Sequence, residues 1–379
     1  MKIIISREAM FHAFTSACMA VKAQSTKPIL RNIKLEARPG EVILLGTDME
    51  IGIRIVLPCE QVEAAGDCVL PSDRFSALLK ENTDDTLTIE SNEKKTRIST
   101  ERAEIGFPTQ DPADFPSLPI FSADHYFSAP ARYVKEAIRR TTFATDVESG
   151  RYALAGVYLD YQDSMLNFVA TDSRRLANQC ISVSVTGEFP ESLAVVATPR
   201  SLQMLDRLLV ANDEEVRFAF LENSFMVQCG NIFFHATLVE GRFPEWRKTL
   251  LQIKSPVLVP LPVGPFFAAV RQASIVTSKE APGLLLSFDS NKLTLHATNT
   301  DLGESKVEMP VQYDGEPMEI KMNQYYLQDF LRIIDSETIV TMHIVHQRVA
   351  ALLTTPDEYQ YLIMPMHEEK PRPAAPANP

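Results

Sequence analysis

The pattern of apolar and polar positions repeats three times along this chain of 379 residues. In each copy an amphipathic helix is followed by a strand that enters a tight turn, and a second helix comes next. Apolar residues at helical spacing mark the first helices, at Phe11, Phe14, Cys18 and Val21, at Val134, Ala137 and Ile138, and at Phe267 and Val270. The second helices have Phe75, Leu202 and Leu327 at corresponding places. The pattern predicts three modules built on one plan.

Each of the three strands ends in a turn of nearly the same sequence. The turns are Gly46-Thr47-Asp48, Ala170-Thr171-Asp172 and Ala297-Thr298-Asn299. Asp48 and Asp172 could be paired catalytic acids, but the third copy has Asn299 at this place. A short polar side chain after threonine favours an Asx turn, in which it accepts hydrogen bonds from the backbone that follows. We therefore expect a structural role for these three residues.

Short β-prone runs separated by polar turns lie between the helices, for example residues 86–89, 216–220 and 338–342. Each module is thus expected to be an α+β unit of two helices and several mostly antiparallel strands. Prolines cluster at the two joints. The predicted modules are residues 1–120, 126–253 and 257–366, and the proline-rich residues 367–379, which contain no aromatic residue, are predicted to be a disordered tail.

Composition limits the environment and the partners. The net charge of −12 argues at first against a nucleic-acid partner, because phosphate binding normally needs basic excess. Five cysteines without a Cys-x-x-Cys pair are typical of free thiols in a reducing compartment. No segment approaches the roughly 20 apolar residues that span a bilayer. We expect a soluble, cytoplasmic protein with no membrane contact.

The sequence contains none of the common catalytic or nucleotide-binding motifs. No phosphate-binding glycine loop, dinucleotide fingerprint, nucleophile elbow or zinc-protease helix is present. His343 and His346 are three apart in a strand-like run and would point to opposite faces, which disfavours a metal site. We predict no catalytic residue, no metal and no cofactor.

Several motifs together resemble the bacterial DNA sliding clamps, the beta subunits of DNA polymerase III holoenzyme. The motifs are Arg151-Tyr152-Ala153-Leu154-Ala155-Gly156, the segment Ala170–Ala177, Gly241-Arg242-Phe243-Pro244-Glu245-Trp246 and Met364-Pro365-Met366, with Thr26–Leu30 and Asp114-Phe115-Pro116 nearer the start. The similarity extends from Met1 to about Met366. Each motif alone is weak, but together, in register on a threefold repeat, they are specific.

The resemblance implies a head-to-tail homodimer in which six modules close into a ring, with helices lining the hole and strands outside. Such a heterologous contact closes only if the rotations add up to a full turn, which six equivalent modules permit. The positions that match the family's subunit interface are Ile105 and Phe107 on one side, and Ile275 and Val276 on the other.

A ring with helices inside also removes the objection from charge. The six predicted helices carry a net charge of +6, which leaves about −18 for the rest of the chain. A basic bore inside an acidic rim would accept DNA in the hole and repel it outside. The predicted sequence-independent contacts to double-stranded DNA are Gln24, Lys80, Arg132, Arg139, Arg140, Tyr152, Arg200 and Arg207. Gln24 replaces the family's usual arginine, and Ala153 follows Tyr152 where a second tyrosine can occur.

The resemblance further implies a pocket, between the second and third modules, for short partner peptides with apolar anchors. The partners would be the replicative polymerase, the clamp loader ATPase, repair and translesion polymerases, and ligase. The matching positions are Leu154, Thr171, Ser173, Arg174, Arg175, Leu176, Pro244, Thr249, Leu362, Met364, Pro365 and Met366, with Arg151, Asn323, Tyr326 and Arg348 at the edge. Met and Leu make an adaptable apolar cleft, and arginines at its rim can bond the peptide. Ser173-Arg174 replaces a frequent Gly-His, and Thr249 replaces an apolar residue.

Two other classes of function remain open from the residues. One is a three-module scaffold that binds proteins without encircling DNA, for which neutral or acidic helices are expected throughout. The net +3 of residues 131–142 speaks against it. The other is a hydrolase or nuclease that uses the aspartate turns, which would need a third acid where Asn299 stands.

Overall fold

The three copies of helix, strand and turn are present in the structure, a computed structural model that describes residues 1–121, 124–146, 152–188, 192–251 and 253–366. The predicted tail, residues 367–379, lies outside the described residues. Within the described ranges there are seven α-helices: α1 Arg7–Cys18, α2 Ser72–Glu81, α3 Ala131–Thr141, α4 Pro199–Leu208, α5 Trp246–Leu250, α6 Val263–Ala273 and α7 Gln324–Ile333. All six helices predicted from the pattern are confirmed, and the short α5 was not anticipated.

The strands confirm the predicted α+β class. In the first third of the chain they are β1 Lys2–Ser6, β2 Asn32–Arg38, β3 Glu41–Thr47, β4 Ile51–Pro58, β5 Gln61–Ala64, β6 Gly66–Pro71, β7 Thr86–Ser91, β8 Lys95–Ser99 and β9 Glu104–Pro108. In the middle they are β10 Tyr126–Pro130, β11 Val157–Gln162, β12 Met165–Thr171, β13 Arg175–Ser182, β14 Ser184–Thr186, β15 Ser192–Ala197, β16 Glu215–Phe220, β17 Ser224–Cys229 and β18 Ile232–Val239. In the last third they are β19 Val257–Pro262, β20 Gly283–Asp289, β21 Lys292–Asn299, β22 Gly303–Pro310, β23 Met318–Asn323, β24 Ile339–Ile344, β25 Ala351–Thr354 and β26 Gln360–Ile363.

Local sequence explains where several helices begin. The side chain of Ser6 accepts a hydrogen bond from Ala9 N at the start of α1, and Thr198 accepts one from Ser201 N at the start of α4. Asn323 does the same for α7, because its Oδ1 accepts from Tyr325 N at 2.9 Å. Each of these side chains satisfies a backbone donor that has no partner inside the helix.

Residue contacts divide the chain into two compact units. Unit 1 comprises the described parts of Met1–Ile138, Tyr161–Leu166 and Ile181–Glu240, and unit 2 those of Arg139–Asp160, Asn167–Cys180 and Gly241–Pro379. These units differ from the three predicted modules, since the middle module is shared between them. The reason is that sheets continue across the predicted module limits, as the strand pairings of each unit show.

Unit 1 contains two antiparallel sheets in its described residues. One has the order β5-β1-β7-β8-β9. The other runs β6-β2-β3-β4-β18-β17-β16-β10-β14, so that β4 of the first third pairs with β18 of the middle third. The helix α1 packs very closely on β3, because a Cβ on Gly46 would lie 2.3 Å from the carbonyl oxygen of Ala17. Between α1 and α2, the rings of Phe14 and Phe75 meet edge to face at 4.7 Å.

Unit 2 also contains two antiparallel sheets in its described residues. Strands β13, β26, β25, β24 and β19 form one, in that order, and β22, β21, β20 and β23 form the other. The first of these joins β13 of the middle third to β26 near the end of the chain. Phe330 of α7 stacks on Tyr361 and Tyr359 with ring centroids 4.9 and 5.6 Å apart, which fixes α7 against β26.

Candidate functional site

The turn at Asp172 is closed by hydrogen bonds from its own side chains. Asp172 Oδ1 accepts from the backbone nitrogens of Arg174 and Arg175, both at 2.9 Å. Thr171 Oγ1 donates to Arg175 O at 2.6 Å and accepts from Ser173 N at 3.1 Å. Ser173 adopts a φ of 71°, which the turn imposes on it. The predicted Asx turn is therefore confirmed.

The same turn recurs in the other two copies. Asp48 Oδ1 accepts from the backbone nitrogens of Glu50 and Ile51, at 3.0 and 2.8 Å. Asn299 Oδ1 accepts from those of Asp301 and Leu302, at 3.0 and 3.2 Å. Because an asparagine makes the same bonds as the aspartates, the shared role is structural and needs no carboxylate.

Arg175, which begins β13, is held on all sides within unit 2. Its Nε donates to Asp172 Oδ2 at 2.9 Å, and its Nη1 donates to Asp329 Oδ2 at 2.7 Å. Its guanidinium also lies 4.6 Å from the ring centroid of Tyr326, and the side chain is only 10% exposed. Two carboxylates therefore hold this side chain beneath the surface. These bonds tie the Asp172 turn to α7, which carries Asp329.

Three leucines expected in the pocket are buried, and two of them, Leu176 and Leu362, form what we call its leucine floor. Leu154, Leu176 and Leu362 are 3%, 4% and 2% exposed. Leu176 and Leu362 are opposite each other in the antiparallel register of β13 and β26. The side chain of Thr171 is also buried, since its hydroxyl is used by the turn.

Pro244 is exposed, and Thr249 is half-buried on the short helix α5. This short helix is anchored by a buried carboxylate. Trp246 Nε1 donates to Asp160 Oδ2 at 2.9 Å, and Arg247 forms an ion pair with the same oxygen. The side chain of Asp160 is 9% exposed. Asp160 therefore fixes the position from which α5 presents Thr249.

The last described residues complete the site on the other side. Met364 N donates to Arg174 O at 2.8 Å, and Met366 N donates to Lys321 O at 2.7 Å. The first of these bonds holds residues 364–366 beside the Asp172 turn. Met364 is 42% exposed and Pro365 is buried, so Met364 offers an apolar surface to solvent.

The remaining predicted pocket residues differ in exposure and in their hydrogen bonds. Tyr326 is half-buried, and its carbonyl oxygen accepts from the Tyr361 hydroxyl at 3.1 Å. Asn323 is engaged as the cap of α7, whereas Arg348, Ser173 and Arg174 are exposed. Arg151 lies outside the described residues. All the predicted pocket residues that the structure describes belong to unit 2.

Sequence reasoning missed the residues that hold the site from behind. Asp329 and Tyr361 bind Arg175, and Asp160 holds α5, but none belongs to a recognisable motif. Asp329 is 154 residues from Arg175 along the chain. The only available signal was an acidic residue on the apolar-rich helix α7, which is too common to indicate a partner.

The predicted DNA-contacting residues fall into three groups. Gln24, Lys80, Arg139 and Arg207 are exposed, and the Tyr152 side chain lies outside the described residues. Arg132 is exposed but forms an ion pair with Asp213, and Arg200 lies 2.7 Å from Asp48. Arg140 needs a correction: it is 8% exposed, donates to Gln179 at 2.7 Å and pairs with Asp357 at 2.6 Å. A guanidinium buried in this way cannot face a DNA phosphate.

The predicted interface residues also differ in exposure. Ile275 is 76% exposed in the short turn after α6, and Ile105 and Val276 are half-buried. Phe107 is only 6% exposed. Both Ile105 and Phe107 lie on β9, which among the described residues pairs only with β8, so that one edge of the strand has unpaired backbone groups.

Some general properties complete the description. Across the described ranges no helix is long and apolar enough to cross a bilayer. The five cysteines are free thiols, and Cys59, Cys68 and Cys229 are buried.

Comparison with known proteins agrees with this architecture. Family models of the DNA polymerase III beta subunit match in order, the N-terminal domain at residues 1–119, the central domain at 129–245 and the C-terminal domain at 254–367. The beta sliding clamp of Staphylococcus epidermidis is 28% identical over 89% of this chain and 92% of that protein, and that of Chlamydia muridarum is 26% identical over 97% and 99%. The crystal structure of the DNA polymerase III subunit beta from Pseudomonas aeruginosa superimposes with a TM-score of 0.90, at 26% identity over 97% of this chain and 100% of that one. The chain belongs to the DNA polymerase III beta subunit family, the family of the bacterial beta sliding clamps.

Proposed function

We propose that this chain is a DNA sliding clamp, a non-enzymatic processivity factor that encircles duplex DNA and tethers the replicative polymerase and other partners. The observation that carries the proposal is the match of three successive domain models in family order over nearly the whole chain. The alternative of a scaffold that does not encircle DNA is not favoured by this match. The protein would act in the cytoplasm.

A ring holds DNA by topology, so its contacts with phosphate need only be weak and independent of sequence. Lys80, Arg139 and Arg207, which are exposed on three different helices, suit such contacts. Two copies in head-to-tail contact would close the ring. In this proposal Ile275, an exposed apolar side chain, supplies part of the closing contact.

The sliding function is tested by loading the protein onto nicked circular DNA with a clamp loader ATPase and measuring what remains bound after linearisation. We expect retention on the circle and on linear DNA with blocked ends, and loss from free ends, because only a ring slides off. The variant Ile275→Asp should lose retention and sediment as a monomer, since a charge is costly at a closed apolar contact. Leu258→Asp, at another exposed apolar position of unit 2, is the control. Equal retention on circular and free-ended DNA would exclude the proposal.

We further propose that the site around the Asp172 turn binds partner peptides through apolar anchors. Its buried leucine floor and the exposed Met364, which is bound to the Asp172 turn through Arg174 O, support this role. Thioethers adapt to differently shaped apolar groups, which suits a site with several partners.

The peptide site is tested by fluorescence polarisation with a labelled peptide that carries a leucine and a phenylalanine anchor. Met364→Ala should weaken binding about tenfold, because the anchor loses its contact while folding is little affected at an exposed position. Leu258→Ala is the matched control, since it also removes an exposed apolar side chain from unit 2. Equal effects of the two substitutions would contradict this location.

A further inference from the structure

Two basic side chains of unit 1 meet at the Asp48 turn. Lys22 follows α1, and Arg200 lies in the first turn of α4. Asp48 Oδ2 lies 3.2 Å from Lys22 Nζ and 2.7 Å from Arg200 Nη1, so one carboxylate oxygen holds the two cations side by side. The side chain of Asp48 is 1% exposed, whereas those of Lys22 and Arg200 are 48% and 41% exposed. The carboxylate therefore supports the two cations from the protein interior, and solvent reaches them from outside.

A second carboxylate contacts the same two cations. Glu50 Oε2 lies 3.3 Å from Lys22 Nζ and 3.7 Å from Arg200 Nη1. The turn places Glu50 there, because its backbone nitrogen donates to Asp48 Oδ1 at 3.0 Å. The side chain of Glu50 is 65% exposed. Unlike Asp48, it can move away from the cations without opening the protein interior.

Stability alone does not account for the contacts of Glu50. Ion pairs between side chains as exposed as these contribute little to folding, because water screens both charges. Their effect on the surface charge is larger. Lys22 and Arg200 are balanced by Asp48 and Glu50 while Glu50 is in place, and one positive charge is left over when it moves away. Glu50 therefore decides whether this surface is neutral or positive.

The position of Glu50 Oε2 suits an oxygen of a DNA phosphate. A phosphate of the DNA backbone carries one negative charge on its oxygens, as the carboxylate does, and lysine and arginine are common ligands of phosphate. Both α1 and α4 are among the helices expected to line the hole, and Arg200 is among the predicted DNA contacts. A phosphate that approached this surface would compete with Glu50 for the same two cations.

We propose that Glu50 is an internal competitor of the DNA phosphates, which occupies the place of a phosphate between Lys22 and Arg200 and limits how tightly unit 1 holds DNA. The inference rests on the proposed sliding function and goes beyond it by giving one residue a restraining role. A phosphate contact at this place replaces the ion pairs of Glu50 instead of adding to them. Such a contact is weak and easily exchanged, which suits a ring that moves along DNA.

The test measures binding of a short labelled duplex to the full chain by fluorescence anisotropy at low salt. Glu50→Gln should bind about two- to fivefold more tightly than the wild type, which is the effect of releasing an exposed ion pair. Lys22→Ala should bind more weakly, because one of the two phosphate ligands is lost. Glu63→Gln is the matched control, since it removes the same charge from unit 1 and Glu63 also pairs with a partly exposed lysine, Lys2, at 2.7 Å.

The double variant Lys22→Ala/Glu50→Gln separates competition from a general change in charge. If Glu50 acts through Lys22, its substitution should tighten binding much less when the lysine is absent, because the pair to be released no longer exists. The tightening caused by Glu50→Gln should also fade as salt is raised, because phosphate contacts are exchanged for counterions. The urea midpoint of Glu50→Gln should stay close to that of the wild type, since its ion pairs are exposed.

The outcomes separate the two proposals. If the wild-type chain neither binds the duplex nor remains on circular DNA, the sliding function is wrong and the role of Glu50 falls with it. If the wild type remains on circular DNA but Glu50→Gln binds the duplex no more tightly than Glu63→Gln does, the ring stands and the competition is overturned. A lowered urea midpoint of Glu50→Gln without tighter binding would overturn it as well, because Glu50 would then serve the stability of the turn.

Discussion

The Asp48 turn of unit 1 and the Asp172 turn of unit 2 have the same backbone hydrogen bonds. They differ in the side chains that the aspartate binds. In both, one carboxylate oxygen accepts two backbone N–H groups. The residue that donates the second of these bonds is Ile51 in unit 1, which is buried, and Arg175 in unit 2. The third copy has Leu302 there, which is 54% exposed.

The second carboxylate oxygen accordingly serves different purposes. Asp48 Oδ2 lies 2.7 Å from Arg200 Nη1 and 3.2 Å from Lys22 Nζ, close ion-pair contacts that do not have hydrogen-bond geometry. Asp172 Oδ2 instead accepts directly from Arg175 Nε. The comparison teaches that the turn is a shared scaffold, and that only the second copy uses it to fix an arginine beside a leucine floor.

Arg175→Ala should have the largest effect on this comparison. It leaves Asp172 and Asp329 half-buried without their cation, and breaking such a pair costs about 3 kcal/mol of unfolding free energy. Peptide binding should fall as well, because the turn loses its anchor. Urea unfolding and peptide titration measure both effects. Arg332→Ala, which removes an exposed arginine of α7 in the same unit, is the control; similar losses for both would contradict the assigned role.

Asp48→Asn keeps the turn but removes the charge that faces Arg200 and Lys22. Both cations are more than one-third exposed, so after discounting for solvent screening we expect a loss of about 1 kcal/mol at pH 7. Peptide binding in unit 2 should be unaffected. Unfolding free energies from urea titrations at several pH values measure the loss.

For the same variant we predict how the loss of unfolding free energy depends on pH. Burial alone would raise the pKa of Asp48, but the Ile51 N–H and the Arg200 guanidinium hold it below its usual value. Its stabilisation is therefore fully present above the unfolded pKa of about 3.9 and is lost as the pH falls through the lower folded pKa. The difference between wild type and Asp48→Asn should disappear in that acid range. Asp85→Asn, at an exposed aspartate, is the control, and a difference that stays constant down to low pH would refute the ion pair.

Asn299→Ala should have the smallest effect. It removes two hydrogen bonds from an exposed turn, and the uncharged Asn299 makes no ion pair that would be lost as well. We therefore expect the free energy of unfolding to fall by about 0.5 kcal/mol. Thermal unfolding is the measurement, with Thr300→Ala on the same exposed turn as the control. A loss as large as that of Arg175→Ala would mean that the third turn has a role beyond its own backbone.

The amino-acid sequence by itself determined the repeating part of the molecule. The turns formed as expected at Asp48, Asp172 and Asn299, because their hydrogen bonds join residues two or three apart. The helices followed their apolar spacing for the same reason, since a helix buries residues three and four apart. The charges of the helices could be counted, but the direction in which each charged side chain points could not be predicted. The predicted contact of Arg140 with DNA was therefore wrong.

Only the tertiary structure decided how the copies differ. Arg175 meets Asp329, 154 residues away, and Arg140 meets Asp357, 217 residues away. No local pattern encodes such pairs, because they depend on β13 adding to β26 and on α7 packing against that strand. The same strand pairing placed Asn178 opposite Gln360, where the buried Oδ1 of Asn178 has no hydrogen-bond partner among the described residues. Local hydrogen bonds can be read along the chain, whereas contacts between distant segments exist only once the sheets have formed.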